Sequence, residues 1–166
     1  MTDSCSSHVV NTRPNPAPCR PQDRGKFEIL QKDGSARIGR LHTNHGMLNT
    51  PMWEKYRVDG LITNSYVIWK HDDLSESALE NGVHELINFP GVIVTDSGTF
   101  QSYVYGDVEV GVEEIINFQR DIGVDIGTML DVFGRPEMSR EEIESAVEIT
   151  ADRAPISLDL AGDDLL

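Results

Sequence analysis

Residues 91–101 read GVIVTDSGTFQ, and this stretch decides the fold that the rest of the chain is expected to adopt. Its β-branched run, Val92 to Val94, is typical of a strand buried on both faces of a parallel sheet. The strand ends at Asp96, and α/β proteins place their chemistry where such strands end. Gly98 permits a close approach of the backbone to a ligand, and Phe100 offers a flat face for stacking on a planar ring. The pattern fits equally well a plain strand end that is capped before a turn.

Two further stretches repeat this arrangement. Residues 59–66 (DGLITNSY) and 124–131 (VDIGTMLD) are apolar segments that end in polar side chains, the second of them in Asp131. Asp125 precedes its strand and is expected to be structural, whereas Asp131 is expected at the far end. Helix-like periodicity follows the three strands at residues 72–80, 112–121 and 139–154. This alternation of strand and helix predicts an α/β fold with a parallel sheet.

The helix over residues 139–154 has the clearest boundaries. Ser139 followed by Glu142 forms a capping box at its start, and Pro155 is expected to stop it. Residues 103–107, which follow the opening stretch, are expected to form a loop.

The N-terminal region is expected to contain a tail and a hairpin. Residues 1–25 are rich in Ser, Asn, Pro and Arg without apolar periodicity, and this composition predicts disorder. Two short strands, 27–30 and 36–41, flank the turn Lys32-Asp33-Gly34. The polar turn 42–46 contains two histidines, but no third metal ligand is in view, so a solvated loop is expected there.

Composition limits the possible functions. The chain carries 28 acidic and 14 basic residues, a formal net charge of −14, which argues against gripping phosphate backbones with this surface alone. Its two cysteines, Cys5 and Cys19, imply no disulfide framework. Neither a membrane span nor a signal peptide is apparent, and a cytoplasmic protein without membrane partners is expected.

Several segments together resemble a known family. They are ARIGRL (36–41), DGLITNSYVIWKHDDL (59–74), GVHELINFPGVIVTDSGTFQ (82–101), YGDVEV (105–110) and EEIINFQRDIGVDIGTMLD (113–131). In this order and spacing they resemble the N-terminal part of an archaeal-type tRNA-guanine transglycosylase. The resemblance implies a partial (β/α)₈ TIM barrel, an opening hairpin plus about three βα units, since a complete barrel needs about 250 residues. It divides the chain into a disordered tail (1–25), a partial catalytic domain (26–154) and a truncated end (155–166).

The chain departs from the family after Thr50-Pro51. Relatives carry a longer segment there, which would hold an early barrel strand. Its loss is expected to leave apolar surface uncovered on the strand at 59–66.

The resemblance also implies a chemistry. Family members exchange guanine in tRNA for a 7-deazaguanine by cleaving an N-glycosidic bond with double displacement. The archaeal likeness implies a nitrile-bearing base (preQ0-type) and the archaeosine pathway. Asp96 matches the acid/base partner and Asp131 the residue that reads guanine, because a carboxylate accepts from both N1–H and the 2-amino group. The remaining substrate-binding candidates are Phe100, Ser97, Gly98, Gln101 and Asn64.

Other features are implied to lie outside this sequence. The nucleophilic aspartate, a zinc site and the RNA contacts belong to later segments of the family fold, so no cofactor or metal is expected within this chain. Asn64 can hold a ribose hydroxyl, and capping a turn is the equal alternative.

Two alternative functions remain open. The chain can be a catalytically inactive piece that binds a base or assembles with a partner, either a second copy or a complementary barrel fragment. It can also be an unrelated α/β hydrolase in which Asp96 and Asp131 chelate Mg²⁺.

Overall fold

The computed structural model describes residues 18–50, 59–106 and 110–166. The strands are β1 (Phe27–Asp33), β2 (Ala36–Thr43), β3 (Gly46–Thr50), β4 (Gly60–Asn64), β5 (Val92–Asp96) and β6 (Ile126–Gly127). The helices are α1 (Ser65–Lys70), α2 (Asp72–Asn81), α3 (Val83–Ile87), α4 (Thr99–Tyr105), α5 (Val112–Asp121) and α6 (Arg140–Ala161). In the ranges given above, no helix has the length and apolar character needed to cross a bilayer.

The first sheet is antiparallel, with the order β1-β2-β3. The predicted hairpin is confirmed, and Gly34 lies in its turn with a φ of 59°, a conformation that favours glycine. The third strand, β3, was not expected from the sequence. It pairs with β2 because the turn before Gly46 reverses the chain directly.

The expected disorder of residues 1–25 is wrong for the end of that segment. Pro21–Asp23 forms a 3₁₀ turn, and the Gly25 N–H donates to the carbonyl of His42 at 2.9 Å. These backbone bonds attach the segment to β2. Residues 1–17 lie outside the described part of the chain.

The second sheet is parallel, with the order β4-β5-β6, which confirms the predicted α/β class. The register pairs Asn64 with Asp96 and Val94 with Ile126. The central strand β5 is mostly buried, as its β-branched run predicts. Helices α1, α2, α3 and α5 contribute to the core on this sheet, which contains Tyr66, Ile68, Ala78, Val83, Ile93, Ile115, Ile116, Phe118 and Ile122.

Two strands are shorter than expected. The strand at 59–66 ends at Asn64 because the Asn64 side chain accepts the Val67 N–H at 2.9 Å and so begins α1. The strand at 124–131 is reduced to Ile126–Gly127, so Asp131 lies in a loop and not at a strand end. Side-chain hydrogen bonds, described below, hold that loop in place of a ladder.

Two helix predictions are also corrected. The segment at 103–107 was expected to be a loop, but α4 continues to Tyr105, so tertiary context overrides weak local propensity there. Pro155 does not stop α6, which continues to Ala161. The last turn is attached to the body of the protein because the Arg120 Nη1 donates to the Leu160 carbonyl at 3.1 Å and Leu160 packs on the core.

The last residues lie beside β6. The Leu166 N–H donates to the Asp125 carbonyl at 3.3 Å, and the Gly127 N–H donates to the Leu166 carbonyl at 2.9 Å. This alternation is the hydrogen-bond pattern of a parallel pair. This pairing was not expected from the pattern of residues 155–166.

The opposite edge of the sheet is open to solvent in the described structure. Ile62 on β4 is 68% exposed. Uncovered apolar surface was expected on this strand.

Candidate functional site

The carboxyl ends of β4 and β5 bring two of the candidate residues side by side. Asn64 and Asp96 are register partners, and both are half-buried. The Asn64 oxygen is committed to capping α1, which is the alternative that the sequence left open. Asp96 therefore offers the carboxylate at this end of the sheet.

The turn after β5 holds the Asp96 backbone and side chain. The Asp96 Oδ1 accepts the Gly98 N–H at 2.8 Å, and the Ser65 Oγ donates to the Asp96 carbonyl at 2.8 Å. A carboxylate that accepts a backbone N–H beside it has a restricted rotamer. Asp96 is thus oriented by the turn that it begins.

Gly98 is required by packing. Its φ is 95°, and a Cβ built there would lie 2.2 Å from the Tyr66 Cβ. Tyr66 itself is buried in the core. The structure thus gives Gly98 a close approach to the first turn of α1, and the close approach to a ligand stays a prediction.

The loops that follow β5 and β6 are hydrogen-bonded to each other. The Ser97 N–H donates to the Thr128 Oγ1, and the Ser97 Oγ donates to the Met129 carbonyl, both at 2.9 Å. The Thr99 Oγ1 donates to the Asp131 carbonyl at 3.4 Å. Ser97 is buried, so its hydroxyl joins the two loops and places the backbone of Asp131 next to the turn after Asp96.

Asp131 and the aromatic residues lie on the solvent side of this junction. Asp131 is an exposed residue. Phe100, which is 49% exposed, meets Phe133 edge to face with ring centroids 5.6 Å apart. Phe133 was not singled out from the sequence, although it follows Asp131 by two positions.

Gln101 contributes an unusual atom. Its Oε1 is buried and, among the described residues, has no hydrogen-bond partner. Buried polar atoms are normally satisfied, so such an acceptor marks a place for a water or a ligand donor.

Sequence reasoning did not identify Gln119, which supports this site from the interior of the protein. Gln119 is fully buried; its Oε1 accepts from the Thr95 Oγ1 at 2.7 Å and its Nε2 donates to the Thr128 carbonyl at 3.1 Å. The available signal was its spacing from Ile115 and Ile116, which puts an amide on the apolar face of α5. Gln119 ties β5 to the loop after β6.

A second polar cluster lies at the opposite end of the same strands. The fully buried Asp125 carboxylate accepts four hydrogen bonds: from the His45 N–H at 3.1 Å, the His45 Nδ1 at 3.0 Å, the His84 Nε2 at 3.2 Å and the Ile93 N–H at 3.0 Å. Burial by itself would raise the pKa of this carboxyl. The side-chain hydrogen bonds from His45 and His84, the Ile93 N–H and the charge of His45 outweigh burial and hold the Asp125 pKa well below its usual range.

The same cluster has the residue types of a metal site. The ligand atoms of His45, His84 and Asp125 lie within 4.8 Å of one another. The two imidazole rings are stacked, with centroids 3.6 Å apart and planes 23° apart. The His45 Nδ1 bonds to one oxygen of the Asp125 carboxylate and the His84 Nε2 to the other. We therefore describe these three residues as the His45–Asp125–His84 clamp.

The clamp differs from what the sequence suggested for the turn at 42–46. His42 and His45 do not act together, since His42 lies 3.7 Å from the Glu28 carboxylate and His45 bonds to Asp125. Asp125 was expected to be structural, and its saturated, buried carboxylate confirms this.

Comparisons with known proteins identify the family to which the chain belongs. A family model described as queuine tRNA-ribosyltransferase matches residues 32–163. Proteins named tRNA-guanine(15) transglycosylase are similar to the chain: that of Methanosphaera stadtmanae is 44% identical over 153 residues, that of Thermoplasma volcanium 46% over 143, and that of Methanopyrus kandleri 43% over 150.

These matches cover 84%, 76% and 81% of this chain, respectively, but only 23%, 23% and 33% of the relatives. The chain thus spans about a quarter to a third of the length of these relatives. Because the family model covers well over half of the chain, the protein belongs to the queuine tRNA-ribosyltransferase family, whose members are tRNA-guanine transglycosylases of the glycosyltransferase class.

Proposed function

We propose that this chain forms the base-recognition part of a tRNA-guanine transglycosylase that exchanges guanine in tRNA for a nitrile-bearing 7-deazaguanine. The observation that carries the proposal is the hydrogen-bonded junction of the loops after β5 and β6. Ser97 bonds to Thr128 and Met129, and Thr99 bonds to the Asp131 carbonyl. These bonds support a single site built from both loops.

Within this site we assign each residue a role. Asp131 accepts from the N1–H and the 2-amino group of guanine, a donor pair that adenine does not present. Phe100 stacks on the base once it has left the RNA helix. The buried Gln101 Oε1 accepts a further donor from the base or from a bound water.

Asp96 is proposed to exchange protons with the departing and incoming base. It is half-buried, and one oxygen is already held by the Gly98 N–H, which leaves a carboxylate of fixed orientation at the strand end. Such positioning is what general acid/base catalysis requires. In this proposal Asn64 holds the start of α1 and reaches the ribose only through its amide nitrogen.

The parallel order β4-β5-β6, with a helix after each strand, supports a partial (β/α)₈ barrel. The proposal places the nucleophilic aspartate on a later barrel strand. Asp96 and Asp131 then handle protons and base recognition, and the ribose carbon is attacked from elsewhere. We therefore expect this chain alone to form no covalent adduct with tRNA and to exchange no base.

The proposal is tested by base binding. We expect guanine, titrated into the ¹⁵N-labelled chain, to shift the amide resonances of residues 97–101 and 128–132, and adenine to shift them much less. In Asp131→Asn an amide donor faces a guanine donor, so guanine should bind about tenfold more weakly and lose its advantage over adenine. Asp159→Asn, on the exposed surface of α6, is the matched control. Equal guanine affinity in Asp131→Asn and the parent would refute the assignment.

A second candidate function is that of an assembly module without activity. Ile62 on the open edge of β4 is 68% exposed, and Leu158 on α6 is 73% exposed. Exposed apolar side chains of this kind favour association with a second copy or a complementary barrel fragment. Sedimentation of the chain alone tests self-association, and Ile62→Lys should abolish it without altering guanine-induced shifts.

A further inference from the structure

We infer that Arg153 is a positioning residue for the loop that carries Asp131. This inference rests on the proposed role of Asp131 in base recognition and concerns how that residue is held. Asp131 lies four residues beyond the end of β6, where no ladder fixes the backbone. Groups outside the sheet must therefore fix the position of the Asp131 backbone and, with it, of the carboxylate.

Arg153 supplies this constraint from the middle of α6. Its Nη1 donates to the carbonyls of both Leu130 and Asp131, each at 3.1 Å. Hydrogen bonds from a guanidinium, a positively charged donor, are stronger than those from neutral donors. One rigid group thus holds two consecutive carbonyls.

Thr150, one turn earlier on α6, holds the next group of the loop. Its Oγ1 accepts the Val132 N–H at 2.9 Å while donating to the Ala146 carbonyl at 2.8 Å. The helix therefore holds the backbone on both sides of the Asp131 peptide. Ala146 is buried, so this part of α6 has a fixed position in the protein.

The opposite side of the loop is fixed by the turn after β5. The Thr99 Oγ1 approaches the same Asp131 carbonyl at 3.4 Å. Arg153 and Thr99 thus meet at one carbonyl oxygen, one from α6 and one from the start of α4. α6 follows the loop in sequence, and the contacts of Arg153 and Thr150 connect the two. A substitution at these positions of α6 should therefore alter the backbone of the proposed guanine-reading residue.

Two variants and one control test this inference in the full chain. Arg153→Met keeps the aliphatic stem and removes the donors, whereas Arg153→Lys keeps a cation that can reach a carbonyl. Arg140→Met, on the same helix, is the control. Arg140 is exposed, and the described hydrogen bond of its side chain is to Glu144. The measurements are guanine affinity and hydrogen exchange at the Val132 amide.

We expect Arg153→Met to weaken guanine binding about tenfold, because the loss of one strong hydrogen bond corresponds to a factor of about this size. Hydrogen exchange at the Val132 amide should become faster by at least the same factor. Arg153→Lys should recover most of both, and Arg140→Met should resemble the parent. Unchanged protection of the buried Ile93 amide in each variant shows that the fold is retained.

The outcomes separate this inference from the proposed function. If the parent binds no guanine, the proposed function fails, while Val132 exchange in Arg153→Met still decides whether Arg153 holds the loop. Parent-like exchange at Val132 in that variant would overturn the positioning role. Faster exchange with unchanged guanine affinity would overturn its connection to base recognition.

Discussion

The two ends of the parallel sheet carry aspartates at β5 and β6 or in the loop that follows, and the two ends differ in how those carboxylates are satisfied. At the amino end, Asp125 is fully buried and accepts four hydrogen bonds in the His45–Asp125–His84 clamp. At the carboxyl end, Asp96 is half-buried and Asp131 is exposed. A carboxylate whose acceptor positions are filled by the protein has no capacity left for a ligand, and one that faces solvent keeps it.

The difference separates a buried, hydrogen-bonded carboxylate from carboxylates that face solvent within one sheet. The clamp joins the turn of the antiparallel sheet to α3 and β5 through a single side chain. At the carboxyl end the loops are held by Ser97, Gln119 and the Arg153 guanidinium, whereas the carboxylates of Asp96 and Asp131 keep contact with solvent. Removing the Asp125 carboxylate should therefore lower the free energy of unfolding strongly, whereas replacing the exposed Asp131 carboxylate should leave it nearly unchanged.

The largest expected effect is on stability at the amino end. Asp125→Ala leaves two backbone N–H groups and two imidazoles without their acceptor, and we expect the free energy of unfolding to fall by about 3–5 kcal/mol. Urea denaturation followed by circular dichroism measures this loss. Asp159→Ala, an exposed aspartate on α6, should change stability by less than about 0.5 kcal/mol. A small loss in Asp125→Ala would mean that the clamp does not hold the two sheets together.

Next in size is a packing effect at the carboxyl end. Gly98→Ala places a Cβ against the Tyr66 Cβ at a φ of 95°, so both strain and overlap should cost about 2–4 kcal/mol. Gly123→Ala is the matched control, since Gly123 also has a positive φ of 74° but nothing within 4 Å of the added carbon. We expect the control to lose about 1 kcal/mol. Equal losses in the two variants would show that the contact with Tyr66 relaxes at no cost.

A smaller effect is expected from pH. The Asp125 pKa is held low in the folded protein, whereas in the unfolded chain the carboxyl takes up its proton near pH 4. Its contribution is thus complete above about pH 4 and is lost as the pH falls toward the lowered folded value, by at most about 1.4 kcal/mol per pH unit. Unfolding free energies of the parent between pH 5 and 2.5 should decline more steeply than those of Asp125→Asn. Parallel curves would contradict a carboxylate held in its charged form by the clamp.

The smallest expected stability effect is at the proposed recognition residue. Asp131 is exposed, and its described contacts here are made by its backbone carbonyl, so Asp131→Asn should change the unfolding free energy by less than about 0.5 kcal/mol. Thermal unfolding of the two proteins checks this directly. A large loss would mean that the Asp131 side chain, like that of Asp125, serves the fold.

Local patterns predicted the elements whose signals are self-contained. The β-branched run before Asp96 gave β5, and the Asp-Gly turn gave the β1–β2 hairpin. The Ser139–Glu142 capping box is present at the start of α6, with both reciprocal hydrogen bonds. In each case the residues that determine the element lie next to each other in sequence.

The errors arise where distant residues compensate for a local signal. Pro155 would stop an isolated helix, but Arg120 on α5 binds the Leu160 carbonyl and secures the turns beyond it. β6 stops early because Ser97, some thirty residues away, donates hydrogen bonds to Thr128 and Met129 in the loop that would have continued it. Neither partner could be inferred from a window around the element itself.

By itself, the sequence determined the α/β class, the family and the residues at the carboxyl end of β5, because periodicity and ordered motifs are properties of the chain. The sequence indicated that Asp125 is structural, but only the tertiary structure decided what holds it, since its four donors come from a turn, a helix and a strand that are remote in sequence. The tertiary structure also decided that Asp131 is held by Arg153 from α6 and not by β6. The physical reason is that the satisfaction of a buried or looped polar group depends on which donors the fold brings within about 3 Å of it.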